Sequence, residues 1–279
     1  MNKLRISIIT PSFNQKNYIT ETLLSVLNQK GSHFELEYIV MDGGSTDGTI
    51  DVLSEIDNRF KKNEFQNVSS FKWYSEKDKG QSDAINKGLR LATSDVVAYL
   101  NSDDVYEEGA LEKTAIFFLS NPKAFWMTGK CTIVNEKTED IRRPITMYKN
   151  LSLKFLLSYF WLLCENPISQ PATFWRRSIH DEYGYFDESE HLVMDYEFWL
   201  RIGQKYKCNF INESLAKFRW YENSKSGSRF IEQFKREEEI AKIYSVKEKW
   251  YITRILHRIN YWKIVLVYKV IYLINFRNV

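Results

Sequence analysis

Two adjacent carboxylates, Asp103 and Asp104, close the stretch 95–104, Asp-Val-Val-Ala-Tyr-Leu-Asn-Ser-Asp-Asp. Neighbouring carboxylates repel each other, and a divalent cation relieves that repulsion. The other reading of the pair is a polar turn in which one aspartate caps a helix beginning near Gly109. Three further polar loops carry groups suited to ligand contact: Thr10–Gln15, Asp42–Thr49 (Asp-Gly-Gly-Ser-Thr-Asp-Gly-Thr) and Lys79–Asp83 (Lys-Gly-Gln-Ser-Asp). Their glycines permit positive φ, and their small residues let backbone approach a ligand closely. The chain contains no Gly-x-Gly-x-x-Gly or Walker sequence, so neither the usual dinucleotide site nor a P-loop is supported. It has no Gly-x-Ser-x-Gly elbow, which removes the case for a serine hydrolase.

Each loop follows a short apolar run. Leu4–Thr10, ended by Pro11, reads as a first strand, Tyr38–Met41 as a second and Phe71–Ser75 as a third. Val96–Leu100 reads as a fourth, buried on both faces. Helices are expected at about Tyr18–Asn28, 50–56 and Ser82–Ala92, and residues 57–70 read as irregular. Strands alternating with helices imply right-handed crossovers and a mostly parallel sheet. The four loops then meet at the carboxyl edge of that sheet, where open α/β folds bind ligands.

The succession Thr-Pro-Ser-Phe-Asn-Gln at 10–15, Asp-Gly-Gly-Ser-Thr-Asp-Gly-Thr at 42–49, Lys-Gly-Gln-Ser-Asp-Ala-Ile-Asn-Lys-Gly at 79–88 and Leu-Asn-Ser-Asp-Asp at 100–104 resembles family 2 glycosyltransferases. The resemblance continues through Ser169–Phe174, Gly184–Asp187 and Met194–Arg201, and covers about residues 1–228. It implies an α/β GT-A fold, the nucleotide-diphospho-sugar transferase fold, and an inverting transfer from a nucleotide sugar, most readily a UDP-sugar. The expected acceptor is a hydroxyl of a surface glycan or its lipid-linked precursor. Residues 229–279 then form a helical extension rich in basic and aromatic side chains.

By the same resemblance Thr10, Pro11, Ser12 and Asn14 line the nucleotide pocket, Asp42 accepts hydrogen bonds from the base, and Asp83 faces base or ribose. Lys79, Ser102, Asp103 and Arg219 join the sugar-nucleotide site. Asp103 and Asp104 match the family's Asp-x-Asp-type metal element, with Asn101 where many members carry Asp, and imply a bound Mn²⁺ or Mg²⁺. Asp42 also reads as a turn residue bonding its own backbone, and Lys79 as a solvated charge. Asp195 matches the second residue of the family's acidic Glu-Asp pair and is the candidate base; the first position is Met194. Asp195 and Glu197 diverge by about 200° around a helix, so they cannot both face a cleft. Glu197 suits an i,i+4 pair with Arg201, whereas Asp195 otherwise reads as a helix cap. The segment Arg219-Trp-Tyr-Glu-Asn-Ser-Lys-Ser226 resembles a late motif whose His contacts metal or diphosphate, but Tyr221 stands at that place. A neutral tyrosine is a poor ligand for a divalent metal, which leaves Arg219, Lys225 or Ser226 to hold the diphosphate.

Composition sets the remaining bounds. The chain has 279 residues, 44% hydrophobic and 27% charged, enough for a sizeable core. A net charge of +3 predicts no nucleic-acid partner. Residues 229–279 hold 11 Lys/Arg against five Glu and no Asp, leaving the remainder slightly acidic. Cys131, Cys164 and Cys208 match no zinc spacing and suit reduced thiols in a cytoplasmic protein. The start lacks a signal peptide's apolar core, and no stretch is long enough to span a membrane. In 247–279, aromatic and aliphatic residues recur at helical spacing among Lys and Arg. Such a helix lies at the inner membrane face, docks on its own domain, or joins a second subunit. Two other functions fit less of the chain: a non-catalytic nucleotide-sugar binding module, and a sugar-1-phosphate nucleotidyltransferase. The second needs a Gly- and Arg-containing loop after the first strand, which Pro11–Gln15 does not supply.

Overall fold

Aliphatic and β-branched runs bury Leu4–Ser12 (β1), Phe34–Asp42 (β2) and, after the partly exposed Val68–Ser75 (β3), Val96–Tyr99 (β4). The computed structural model describes residues 3–222 and 224–276. Four more strands follow: Val105–Tyr106 (β5), Trp126–Val134 (β6), Thr173–Arg176 (β7) and Asn209–Arg219 (β8). All join one curled sheet in the order β3-β2-β1-β4-β7-β6-β8-β5. The first four are mutually parallel, as expected, and β6 pairs β8 in parallel. The sheet reverses at β4–β7, β7–β6 and β8–β5, which are antiparallel. The fold is thus mixed α/β with a mostly parallel first half.

Helices α1 (Ile19–Leu27), α2 (Thr49–Lys61), α3 (Gln81–Leu91) and α4 (Ala110–Ser120) make the crossovers. Their apolar faces, such as Leu23, Val26 and Leu27 of α1, are buried. Two expected boundaries move. β1 runs through Pro11 to Ser12, because β4 stops opposite Ile9 and no ladder on that side meets the missing N–H. The stretch read as irregular shrinks to 62–67: α2 continues to Lys61 on a solvated polar face, and β3 begins at Val68 as an edge strand that tolerates exposed Ser and Lys.

The second half is organised around aromatics. Trp126 stacks on Trp199 with ring centroids 5.3 Å apart, and Trp175 packs edge-on against Trp199 at 5.4 Å. Trp199 and Phe198 come from α8 (Met194–Gly203), whose Glu197 pairs with Arg201 at 2.7 Å as the i,i+4 spacing predicts. Between β6 and β8 lie α5 (Arg143–Leu156), α6 (Tyr159–Leu162) and α7 (Ile179–Tyr183). After β8 come α9 (Lys225–Ser228), α10 (Phe230–Lys247) and α11 (Tyr251–Phe276). Tyr244 of α10 donates to Glu197 at 2.6 Å, and Arg236 pairs with Glu190, so α10 packs on the same body as α8. α11 docks by one face: the Thr253 and Ser245 hydroxyls are 2.7 Å apart, His257 Nδ1 is 3.0 Å from the Leu163 carbonyl, and Asn260 donates to the Cys164 carbonyl at 3.1 Å. Its other face leaves Tyr251, Ile252, Ile255, Ile259 and Trp262 exposed. Among the described residues no helix is long and apolar enough to cross a membrane.

Candidate active site

The loops after β1, β3 and β4 open onto one cavity of about 710 Å³, and the N-terminus of α8 joins its wall beside the start of α3, where Ser82 Oγ donates to Met194 Sδ at 2.8 Å. Pro11, Ser12, Ser102, Asp103, Asp195 and Arg219 all line it. The structure therefore brings Asp103 and Asp195, about 90 residues apart in sequence, to the wall of one cavity.

The remaining expected residues organise the loops. Asp42 is buried; its Oδ2 accepts from the backbone N–H groups of Gly44 and Ser45 at 3.0 and 2.9 Å and from Ser75 Oγ at 2.7 Å. Its Oδ1 takes one bond, from Ser45 Oγ. The contacts of Asp42 are those of the turn reading. A Cβ on Gly43 would stand 2.6 Å from Asp78 Oδ2 and 3.3 Å from the Phe13 ring, so a larger residue there would have to displace those side chains. Asn14, at φ 52°, receives Thr46 N–H on its Oδ1 and donates its own N–H to Ser45 Oγ, stitching the first loop to the second. The Thr10 hydroxyl is 2.9 Å from Tyr38 Oη beneath the sheet edge. Asp83 accepts the Lys79 N–H at 3.0 Å; burial works to raise its pKa, but that N–H and the Lys87 ammonium hold it below the usual range. Lys79 itself is exposed.

Asp103 and Asp104 differ in access. Asp104 is fully buried, accepting Arg219 N–H at 2.9 Å and Asn101 Nδ2 at 3.2 Å. Asp103 lines the cavity, and its carboxylate takes a hydrogen bond from Tyr221 Oη at 3.0 Å. Burial raises both carboxyls, and the charge of Asp103 adds to the effect on Asp104. Tyr221, at the position of the family's His, thus touches the very carboxylate a metal would use. Burial and then the charge of Asp103 push its phenol up, so Tyr221 is a neutral donor.

This donor set fits a divalent cation at the cavity side of Asp103. The pair is desolvated, and its carboxylate oxygens receive Tyr221 O–H, Asn101 N–H and Arg219 backbone N–H. Among the described residues no group of three His, Cys, Asp or Glu side chains converges on a point. Asp103 would therefore share the ion with phosphate oxygens and water.

Arg219 does not reach into the cavity with its charge. Its side chain is fully buried: Nε donates to the Asp103 carbonyl at 2.8 Å, Nη1 to the carbonyls of Asn135 and Glu136 at 3.0 and 2.9 Å, and Nη2 to Glu21 Oε2 at 2.5 Å. Those contacts describe a clamp on the Asp103–Asp104 loop rather than the diphosphate contact expected of it. Arg219→Met removes a fully buried guanidinium that ties the Asp103, Asn135 and Glu136 carbonyls to Glu21, and should cost about 3 kcal/mol of stability by urea unfolding. Glu21→Gln, at a half-exposed partner, should cost under about 1 kcal/mol; equal costs would refute the clamp. The side chains of Lys225 and Ser226, the other candidates for the diphosphate, lie outside the described residues.

Several cavity residues carry no signal in the four loop motifs. Gln170, in the Ser169–Phe174 segment, donates to the Tyr99 carbonyl at 2.6 Å. From α10, Phe230, Gln233, Phe234 and Glu237 form part of the wall. Their three- and four-residue spacing, continued by Ala241 and Tyr244, could have revealed an inward face, although Glu237 opens an acidic run that reads as solvated.

The sequence model of glycosyl transferase family 2 matches residues 7–184. A putative teichuronic acid biosynthesis glycosyltransferase, TuaG of Bacillus subtilis, is 28% identical over 263 residues, covering 92% of this chain and 90% of that protein. The Escherichia coli UDP-Glc:α-D-GlcNAc-diphosphoundecaprenol β-1,3-glucosyltransferase WfgD is 27% identical, with 83% of each chain covered. Among solved structures, Pyrobaculum calidifontis mannosyltransferase PcManGT in complex with GDP-Man and Mn²⁺ superposes with a TM-score of 0.61 at 16% identity, over 85% of this chain and 64% of that one. Staphylococcus aureus TarS 1–349 in complex with UDP gives 0.60 at 18% identity, over 86% of this chain and 65% of that one. These structures share the GT-A fold, and the loops, sheet order and family match agree on one conclusion: this chain belongs to glycosyl transferase family 2.

Proposed function

We propose that the chain transfers a sugar from a nucleotide-diphosphate sugar, of the UDP class, to a hydroxyl of a lipid-linked or polymeric glycan acceptor, with inversion at the anomeric carbon. The observation that carries this reading is the single cavity lined by Asp195, by Asp103 and by residues of the nucleotide-side loops. Support for the substrate class comes from WfgD, whose name specifies a UDP-glucose donor and a GlcNAc-diphosphoundecaprenol acceptor, and from TuaG, whose name specifies teichuronic acid biosynthesis.

The nucleotide occupies the face made by Pro11, Ser12 and Ser102, with Thr10, Asn14, Asp42 and Asp83 holding those loops in shape and Lys79 at their outer rim. Asp195 accepts the proton of the acceptor hydroxyl as its oxygen attacks the anomeric carbon, and the diphosphate departs on the opposite face in one in-line displacement. Asp103 would hold a divalent ion, which would supply charge stabilisation to the leaving diphosphate, and Asp104 beneath it fixes the loop. Tyr221 sets the orientation of the Asp103 carboxylate. Proton NMR of the product tests this reading: an α-linked donor must yield a β-linked product, and retention of configuration would exclude direct displacement.

Membrane contact is the second part of the proposal. The exposed face of α11 adjoins α5, since Lys263 donates to Tyr148 Oη at 2.6 Å, and α5 exposes Met147, Leu151 and Phe155. Residues 249–276 contain Lys and Arg but no Asp or Glu. An apolar helix face whose own segment carries positive charges and no acidic ones suits the anionic inner leaflet. Wild type should float with phosphatidylglycerol vesicles, and Ile255→Glu/Ile259→Glu/Trp262→Glu should lose most of that flotation. Equal flotation would end the idea and leave this face to a second subunit.

A further inference from the structure

The cavity wall facing away from the nucleotide loops has a chemistry of its own. Glu237 is 7% exposed at that wall, hydrogen-bonded with the side chains of Asn166 and Gln233. Two charged groups act on it from neighbouring elements, Lys149 of α5 and Asp195 of α8. Phe230 and Phe234 of α10, the helix of Glu237, supply aromatic surface to the cavity, and Trp220, with Arg142 over one face of its ring at 3.5 Å, lines it too. Asn166 Oδ1, Gln170 Oε1 and Trp220 Nε1 are buried and have no hydrogen-bond partner among the described residues, yet all three residues line the cavity. Buried polar atoms without a protein partner call for a ligand or water. Amide, carboxyl and indole groups set among aromatic rings match a pyranose, which offers hydroxyls at its edge and C–H groups on its face.

We propose that Glu237 is the acceptor-positioning residue: its carboxyl hydrogen-bonds a hydroxyl of the acceptor pyranose and delivers the neighbouring hydroxyl to Asp195. It supplies from α10 the second carboxyl that Met194 leaves absent next to Asp195. Burial, and then the charge of Asp195, push the Glu237 carboxyl up to about 8 against the pull of Lys149. At neutral pH it is therefore a protonated donor, while Asp195 is the proton acceptor. Helix α10, beyond the expected boundary at 228, is in this account part of the acceptor subsite.

The inference rests on the transferase reading, and the test separates the two. Donor affinity is measured by calorimetry with UDP-glucose and UDP-GlcNAc, and transfer with dodecyl-diphospho-α-GlcNAc and p-nitrophenyl pyranosides as acceptors. Glu237→Ala should raise the acceptor KM about tenfold, as expected for one lost buried hydrogen bond, with donor Kd within about twofold of wild type. Glu237→Gln keeps a neutral donor in place, so it should preserve the acceptor KM at pH 7. It should also abolish the rise in KM that wild type shows as pH passes 8. An acceptor KM unchanged in both variants, or a donor Kd weakened as much as the acceptor KM, would overturn the role of Glu237 alone. A wild-type protein that binds neither UDP-sugar and transfers to none of the acceptors would instead overturn the transferase reading.

Discussion

Asp195→Asn should lower glycosyl transfer on the order of 10³-fold while leaving donor affinity within about twofold. The amide keeps the size of the side chain at the head of α8 but cannot take the acceptor's proton. Asp195 belongs to the first turn of α8 and not to the loops assigned to the nucleotide, so the loss falls on the chemical step and not on nucleotide binding. The buried positions that follow it in α8, Tyr196, Phe198 and Trp199, fix the helix, so the substitution should not move its neighbours. Initial rates of nucleotide release, with and without acceptor, check this. A variant that turns over within threefold of wild type would remove Asp195 from the role of base.

The second large effect concerns the carboxylate pair. Asp103→Asn should abolish the response of donor binding to Mn²⁺, weakening the Mn²⁺-supported Kd about 10- to 100-fold, with little change in melting temperature. Asp104→Asn should do the reverse. Its carboxylate is fully buried and accepts Arg219 N–H and Asn101 Nδ2, so an amide there leaves a donor facing a donor and lowers stability by about 2 kcal/mol. Calorimetry and thermal melts on the two variants separate the roles. Equal metal responses in both would mean that Asp103 and Asp104 ligate together.

The first half of the fold was legible because strands buried on both faces read as continuous apolar runs, and each was followed by a loop of turn-forming residues. Val96–Tyr99 and the loop to Asp104 are the clearest case. β6, β7 and β8 were not, since their pairing is non-local: Trp126 meets Trp175 and Val97 meets Trp175, contacts set by tertiary packing and not by local pattern. At the site, residue type identified which loops matter but not what each side chain faces. Asp42 and Arg219 illustrate the difference. Both are polar and sit in motif segments, and in the folded chain both are taken up by backbone groups of adjoining loops. Glu237 is the converse case, an acid whose neighbours in sequence are solvated but whose place on the helix turns it inward.

The most direct test is a calorimetric titration of the whole chain with UDP-glucose, UDP-GlcNAc and GDP-mannose, each in Mn²⁺, Mg²⁺ and chelator. Micromolar binding of a UDP-sugar that weakens at least tenfold in chelator and is lost in Asp103→Asn is the predicted result. Absence of binding by all three donors in every buffer would contradict it.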